Sequence, residues 1–433
     1  MRFTIHCSDG CNDRKFYYDN ETSVLTDDQG NQIIEPKAVM KMPVKPIPHT
    51  SKENPNGKVA EIKVLKIQLG LACNYACSYC SQRFVPRADE SHPHEVGKFM
   101  RNIDLWLQGQ PFQIEFWGGE PFAYWKTLKP LAEAIKAKFP GSRLLIITNG
   151  SLLNPEINQW IEDLDINVGI SHDGPGQHVR GPDPLDDPEQ RKHILDLIRR
   201  RKGKISFNTV MNRENWDRAK VQQFFRNVLG GEWVSIGEGQ FVDPYDEGSE
   251  KLSIHTHEEA LAFRNLTLGQ IRRREFEQFL IMRRMGEWIT TISSGRGLDV
   301  VWQKCGMDQP AVIAVDLKGN VLTCQNTSTV SKAPNGQPNR IGHVSQLDKV
   351  KLNTATHFAN RPKCMECPIV QACKGTCMFL EGPRFEKACN NAYNDHLPFF
   401  AAAIERLTGY LPYYIESPSL PSERSELWEQ PNG

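Results

Sequence analysis

Between residues 61 and 245 the chain alternates short apolar runs with longer amphipathic stretches. The runs at residues 64–70, 113–117, 144–148, 167–171, 205–211 and 233–237 read as strands. Most are short and apolar, as suits a sheet buried on both faces. Residues 94–107, 125–138, 155–164, 188–202 and 216–229 read as the helices between them. Strands spaced by helices need right-handed crossovers, so the pattern predicts an α/β fold with a parallel sheet. Before residue 61 the pattern changes. Phe16-Tyr17-Tyr18 and Val24-Leu25 flank Asp19-Asn20-Glu21-Thr22, and Asp27-Asp28-Gln29-Gly30-Asn31 precedes Ile33-Ile34. This predicts short strands joined by tight turns. Pro36, Pro43, Pro46, Pro48 and Pro55 then mark an extended linker. Residues 257–295 carry few helix breakers, and 416–433, rich in Ser, Pro and Glu, read as a frayed tail.

Composition narrows the class. The chain has 433 residues, enough for two or three domains, with 39% hydrophobic and 24% charged residues. Lys+Arg and Asp+Glu both count 52, which gives no electrostatic case for nucleic acid or an anionic membrane as partner. The basic runs at residues 199–202 and 272–274 fall in helix-like segments with acidic neighbours and read as solvated faces. No stretch reaches membrane-spanning length, and the N-terminus lacks the apolar core of a signal peptide. Twelve cysteines then argue for metal or redox chemistry in the reducing cytosol, so the expected location is cytoplasmic.

The chemistry starts with Cys73, Cys77 and Cys80, spaced Cys-x3-Cys-x2-Cys on the loop that leaves the first predicted strand of the sheet. Three thiolates so close in sequence converge on one soft metal centre, one short of the four that close an ordinary 4Fe–4S cluster. A zinc site reads more often as paired Cys-x2-Cys units. The second strand ends in Trp117-Gly118-Gly119-Glu120-Pro121, where ligands of parallel sheets bind. Together these runs resemble the signatures of the radical S-adenosylmethionine (radical SAM) enzymes. The resemblance implies that the triad holds a cluster whose free iron chelates SAM. It also implies that Gly118, Gly119, Glu120 and Pro121 hold the SAM amino group. Thr148-Asn149-Gly150 and Ser171-His172-Asp173-Gly174-Pro175 end the next two strands. They make Asn149 and Ser171 candidate SAM contacts, although turn capping suits such residues as well. Arg180 is the candidate partner of the SAM carboxylate.

The later cysteines extend the resemblance. Cys305, Gly319 and Cys324 give Cys-x13-Gly-x4-Cys, followed by Cys364-x2-Cys367-x5-Cys373-x3-Cys377 and Cys389. This string is similar to the seven-cysteine SPASM domain, which carries auxiliary 4Fe–4S clusters. By that correspondence Cys364, Cys367, Cys373 and Cys389 hold one cluster. Cys305, Cys324 and Cys377 hold the other, which is one thiolate short. Asp308 is the nearest acidic candidate for the fourth position, capture of Cys7 or Cys11 is an alternative, and the position can also stay open. Cys7 and Cys11 otherwise read as free thiols. Residues 311–315 and 320–324 read as a hairpin turning at Asp316-Leu317-Lys318-Gly319. Sulfatase-maturing relatives carry a further cysteine soon after the one matching Cys305, and an aspartate base after the one matching Cys324. Here residues 306–311 contain no cysteine, and the base position holds Gln325.

The expected architecture is therefore α/β. It has a partial (β/α)6 TIM-like radical SAM barrel (61–256), a helical connector (257–300) and an Fe–S-rich SPASM domain (301–395). A small N-terminal β module with its linker (1–60) precedes these, and a C-terminal helix with a frayed tail (396–433) follows. The implied cofactors are SAM and three 4Fe–4S clusters, one binding SAM and two auxiliary. The implied reaction is reductive cleavage of SAM to a 5′-deoxyadenosyl radical that abstracts hydrogen from a substrate. A one-electron donor such as flavodoxin or ferredoxin would supply the electron. SPASM enzymes most often modify ribosomal peptides by crosslinking, epimerisation or oxidation. The alternatives are dehydrogenation of a small alcohol such as an aminocyclitol, and Ser/Cys oxidation of the sulfatase-maturase type. A plain iron–sulfur electron carrier would not need the Gly118–Pro121 run.

Overall fold

The computed structural model describes residues 1–35, 45–276, 278–353 and 356–428. Pro36 and Pro43 of the expected linker lie outside the described residues, as do 429–433 of the tail. Three N-terminal strands, β1 (Arg2–Ser8), β2 (Asp13–Asp19) and β3 (Leu25–Thr26), and a short β4 (Asn56–Gly57) precede the main sheet. Next come β5 (Val64–Gln68), α1 (Glu95–Asn102), β6 (Gln113–Trp117), α2 (Trp125–Lys138), β7 (Arg143–Thr148) and α3 (Pro155–Asp163). They continue through β8 (Asn167–Ser171), α4 (Pro188–Arg200), β9 (Ile205–Met211), α5 (Arg218–Val228) and β10 (Ser235–Phe241). β5 to β10 pair in sequence order and in parallel, as the alternation predicts.

The strands are not apolar on both faces. On β5, Leu65 and Ile67 enter the large core shared with the helices, whereas Lys66 and Gln68 lie on the opposite face. Glu115 on β6 alternates with Ile114 and Phe116 in the same way. The helix-facing side drives burial, and the polar side faces the site.

After α6 (Glu247–Glu250), the expected long helix is two, α7 (His257–Arg273) and α8 (Gln278–Ser294). Arg274, in left-handed conformation (φ 56°), caps α7 and ends it. The predicted hairpin forms as β11 (Val312–Asp316) and β12 (Asn320–Leu322), with Gly319 at φ 85° in the turn. β11 lies parallel to β5, and β13 (Arg340–His343) adds to β12, so the sheet order is β10-β9-β8-β7-β6-β5-β11-β12-β13. Cys324, expected on the return strand, lies two residues beyond it.

The remaining elements are β14 (Lys351–Leu352), paired with β4, then α9 (Pro362–Met365), α10 (Val370–Cys373), α11 (Gly382–Thr408), β15 (Leu411–Glu416) and α12 (Ser422–Ser425). The N-terminal strands are completed from the far end of the chain: the order is β15-β1-β2-β3. This sheet shares a second core with α8, α11 and the cysteine region, to which Phe3, Ile5, Tyr18, Trp288 and Phe400 contribute. The segment expected to fray is also packed. Leu427 is fully buried, its N–H donates to Tyr413 O, and Trp428 Nε1 donates to Pro412 O. Two apolar side chains, Leu427 and Trp428, anchor an otherwise polar segment to the second core.

Candidate active site and cysteine centres

The loop that leaves β5 carries Cys73, Cys77 and Cys80, all half-buried. It is held by the loop that leaves β6: Gly119 N–H donates to Gly70 O (3.1 Å) and Glu120 N–H to Ala72 O (2.9 Å). Gly119 is needed for this approach, because a Cβ there would lie 2.3 Å from Ala72 O, a backbone atom. Tyr124 OH braces the other side, accepting from Ala72 N–H (2.6 Å) and donating to Glu90 (2.7 Å). Burial pushes the thiols up, Cys77 to about 11, so the bare loop favours three neutral soft donors. A bound cation reverses that preference.

Glu120 is buried and accepts three hydrogen bonds, from Thr148 Oγ1 (2.8 Å), Phe122 N–H (3.1 Å) and Asn149 N–H (2.8 Å). It thereby locks the end of β6 to the end of β7; burial still raises its pKa. Pro121 follows as the first residue of a single helical turn that Glu120 caps. Asn149 Nδ2 donates to Asn74 Oδ1 (2.8 Å), reaching back into the cysteine loop. Arg180 already has an anionic partner. Its Nη1 donates to Tyr79 OH (2.5 Å), which donates to Asp173 Oδ2 (2.6 Å), while its buried Nε has no partner. Burial alone would lower the Arg180 pKa; the charges of Tyr79 and Asp173 outweigh it and raise it.

These groups face one space. Cys73, Cys77, Cys80, Gly118, Gly119, Glu120, Asn149, Ser171 and Arg180 line a cavity of ≈ 520 Å³, within the range of cofactor sites. Gln240, near the end of β10, and Asp243 and Tyr245, just beyond it, line it too. The sequence reading missed them because it ended this strand at residue 237, four short of Phe241. Asp243 is buried, Gln240 Nε2 donates to it, and Lys304 Nζ donates to Gln240 Oε1 (2.6 Å). Burial, only partly offset by Lys304, pushes Asp243 up to about 7.

The C-terminal cysteines form two groups. Cys305, Cys324 and Cys377 are electrostatic neighbours. Burial pushes them up to about 12, 11 and 12; Cys324 adds to the rise of Cys305, Cys377 to that of Cys324, and Asp243 ahead of Cys305 to that of Cys377. They border the cavity: Asn326 N–H contacts Cys324 Sγ (3.4 Å), and Asn326 and Tyr245 line the wall. Gln68 Nε2 donates to Gln325 O (2.7 Å) and Gln82 Nε2 to Asn326 Oδ1 (2.9 Å), which ties this group to β5 and to the first cysteine loop. Asp308 neighbours this group. It is fully buried, accepts from Gln303 N–H (3.0 Å), and its charge is among those that raise Cys305. Lys58 Nζ, missed in the sequence, donates to Met307, Gln309 and Val312 carbonyls (2.6, 3.0 and 2.8 Å) and fixes this turn. Cys7 is buried on β1 and Cys11 is exposed in the following turn.

Cys364, Cys367, Cys373 and Cys389 line one small cavity of their own between α9, α10 and α11. Burial and mutual repulsion push Cys367 and Cys373 up to about 12 and 11. Among the described residues, no three His, Cys, Asp or Glu side chains are grouped tightly enough for a single metal ion.

Residues 67–225 match the family model described as the Radical SAM superfamily. Over this stretch, a little over a third of its length, the chain is similar to the radical SAM enzymes. Among curated relatives, a radical SAM cyclopropyl synthase, TigE, of Paramaledivibacter caminithermalis is 20% identical over 348 residues, 73% of this chain and 68% of that protein. An S-adenosylmethionine-dependent nucleotide dehydratase of Pseudoalteromonas ulvae is 26% identical over 194 residues, 39% of this chain and 62% of that protein, so the match spans less than two thirds of it. Among solved structures, anSMEcpe with bound AdoMet and a Cp18Cys peptide superposes with a TM-score of 0.55 at 17% identity. That match covers 81% of this chain and 98% of that one. The fold is thus the radical SAM α/β fold with a largely parallel central sheet. Among the described residues, no helix is long and apolar enough to cross a membrane.

Proposed function

We propose that the chain is a radical SAM/SPASM oxidoreductase that acts on a peptide. In this reading Cys73, Cys77 and Cys80 hold the SAM-binding cluster, and Cys305, Cys324, Cys377 and the four-thiol group hold two auxiliary clusters. The observation that carries it is the single ≈ 520 Å³ cavity that runs from the cysteine triad and the Gly118–Glu120 loop to Tyr245 and Asn326, beside Cys377 and Cys324. Cluster and SAM, when bound, supply one-electron SAM cleavage and hydrogen abstraction. The chain's residues do the rest. The Gly118–Gly119 backbone approaches the ligand without side-chain obstruction. Glu120 and Asn149 hold the strand ends in register, and the buried Arg180–Tyr79–Asp173 set fixes a guanidinium at the cavity wall. Asp243, poised near neutrality, accepts a proton from the substrate in place of the aspartate base of the maturase pattern, whose position holds Gln325 in this chain.

The peptide reading follows from the SPASM-like cysteine string. The open cavity mouth, with exposed Arg83, Phe84 and Arg87, leaves room for a chain. The small-alcohol reading stands second. A low-potential flavodoxin or ferredoxin is the proposed donor. The test has two parts. A variant with Cys73, Cys77 and Cys80 all replaced by Ala should retain iron and sulfide in the two auxiliary sites; an iron-free variant overturns the SPASM part. Anaerobic turnover with a precursor peptide encoded beside this gene should give a product lighter by one H2 for a crosslink or oxidation, or deuterium uptake from D2O for epimerisation. Turnover of a cyclitol alcohol with no peptide change would decide for the second reading.

A further inference from the structure

The four-thiol group has a cationic neighbour from a part of the chain that the cysteine string does not reach. Arg424 lies on α12, beyond β15, and only 8% of it is exposed. Its Nη2 donates to Cys389 Sγ at 3.5 Å. The guanidinium also lies 4.9 Å from the Tyr393 ring centroid, and Tyr393 OH donates to the Arg424 carbonyl (2.6 Å). The position is held firmly. Arg264 Nη1, itself buried, donates to Glu426 O (2.8 Å), and Leu427 seats in the second core. Burial disfavours the charge on Arg424; the neighbouring Cys389 and Cys367 sulfurs restore it.

A guanidinium retained in so dry a place, with a sulfur as its side-chain hydrogen-bond acceptor, has a use. We propose that the C-terminal segment around α12 is a cap on the Cys364/Cys367/Cys373/Cys389 site, and that Arg424 sets the reduction potential of the cluster held there by donating a charged hydrogen bond to Cys389. This rests on the reading of those cysteines as cluster ligands. The soft donor set and the shared cavity fit that reading, and Arg424 adds an electrostatic reason: a reduced cluster carries more negative charge, which a fixed cation stabilises. Hydrogen bonds to sulfur and local charge are established determinants of iron–sulfur potentials. Arg361 also stands near these sulfurs but gives its Nη2 to Met378 O (2.9 Å) and stacks on Phe385, so it contributes charge without a hydrogen bond to sulfur.

The experiment is an anaerobic redox titration of the full-length reconstituted protein, followed by electron paramagnetic resonance. The signal of this cluster is assigned by its loss in Cys389→Ser. In Arg424→Gln the midpoint of that signal should move to more negative potential. The reduced-to-oxidised ratio at a fixed ambient potential should fall at least tenfold, about 59 mV for a one-electron couple. The other two clusters should hold their midpoints. Arg424→Lys, which keeps the charge but loses the planar fork, should shift less. An unchanged midpoint in Arg424→Gln with iron content intact overturns the proposal. Loss of the cluster in both variants also overturns it, because Arg424 would then serve assembly and not potential. Wild-type protein without an auxiliary signal would instead defeat the reading of the cysteines, and is distinguishable because it is seen before any substitution.

Discussion

At Gly119 a single added methyl group would sit 2.3 Å from Ala72 O and 2.6 Å from Leu71 O, atoms that cannot rotate away. Gly119→Ala should therefore push the two loops apart, at roughly 1–3 kcal/mol, and lower iron incorporation at the triad while the auxiliary sites fill. Iron analysis after reconstitution checks this; full loading would show that the loops tolerate the shift. Asp243 makes a prediction in pH. Its folded pKa of about 7 lies above the ordinary carboxylate value of about 3.9. Between those values the folded state holds a proton that the unfolded state has lost, so stability falls as pH rises, and the full penalty is present above pH 7. Asp243→Asn should thus raise the thermal midpoint relative to wild type more at pH 8 than at pH 5. Equal differences at the two pH values would mean that Asp243 is not held protonated. Residues of this kind divide by legibility. Gly119 and Glu120 were legible because a strand end followed by paired glycines is a local signal. Asp243, Lys58 and Arg424 were not, since each acts through contacts with segments far away in the chain.

The elements show the same division. Strands with buried apolar residues on the helix-facing side announce themselves, and β6, β8 and β9 fall at residues 113–117, 167–171 and 205–211 as the pattern predicts. Pairings between distant segments do not. β11 joins β5 across more than half the chain, and β15 completes a sheet with β1, because edge strands take whichever partner the tertiary fold presents. Another such junction is ionic. Arg218 of α5 meets Glu238 of β10 and Asp395 of α11, and Arg284 of α8 reaches the same two carboxylates (Nη2 to Asp395 Oδ2, 2.9 Å; Nη1 to Glu238 Oε2, 3.1 Å). Asp395→Ala leaves two guanidiniums with a single buried carboxylate, and should cost about 3–5 kcal/mol. Chemical denaturation measures it. A loss below about 1 kcal/mol would show that Glu238 alone satisfies both.

Across the whole molecule, two hydrophobic cores frame two separate groups of cysteines. One core, between the parallel strands and their helices, frames the cavity of the cysteine triad; the other encloses the four-thiol group beneath the N-terminal sheet and α11. The Cys305, Cys324 and Cys377 group lies beside the cavity and is tied by Gln68 and Gln82 to the elements that carry the triad. This continuity underlies the central claim, that the cavity is where SAM is cleaved reductively at the Cys73, Cys77 and Cys80 site. The most direct measurement is formation of 5′-deoxyadenosine from SAM by anaerobically reconstituted protein with a strong reductant, set against Cys73→Ala, Cys77→Ala and Cys80→Ala. The account predicts product from the wild type and none above background from each variant. Product at the wild-type rate in any of the three, or none from fully loaded wild type, would contradict it.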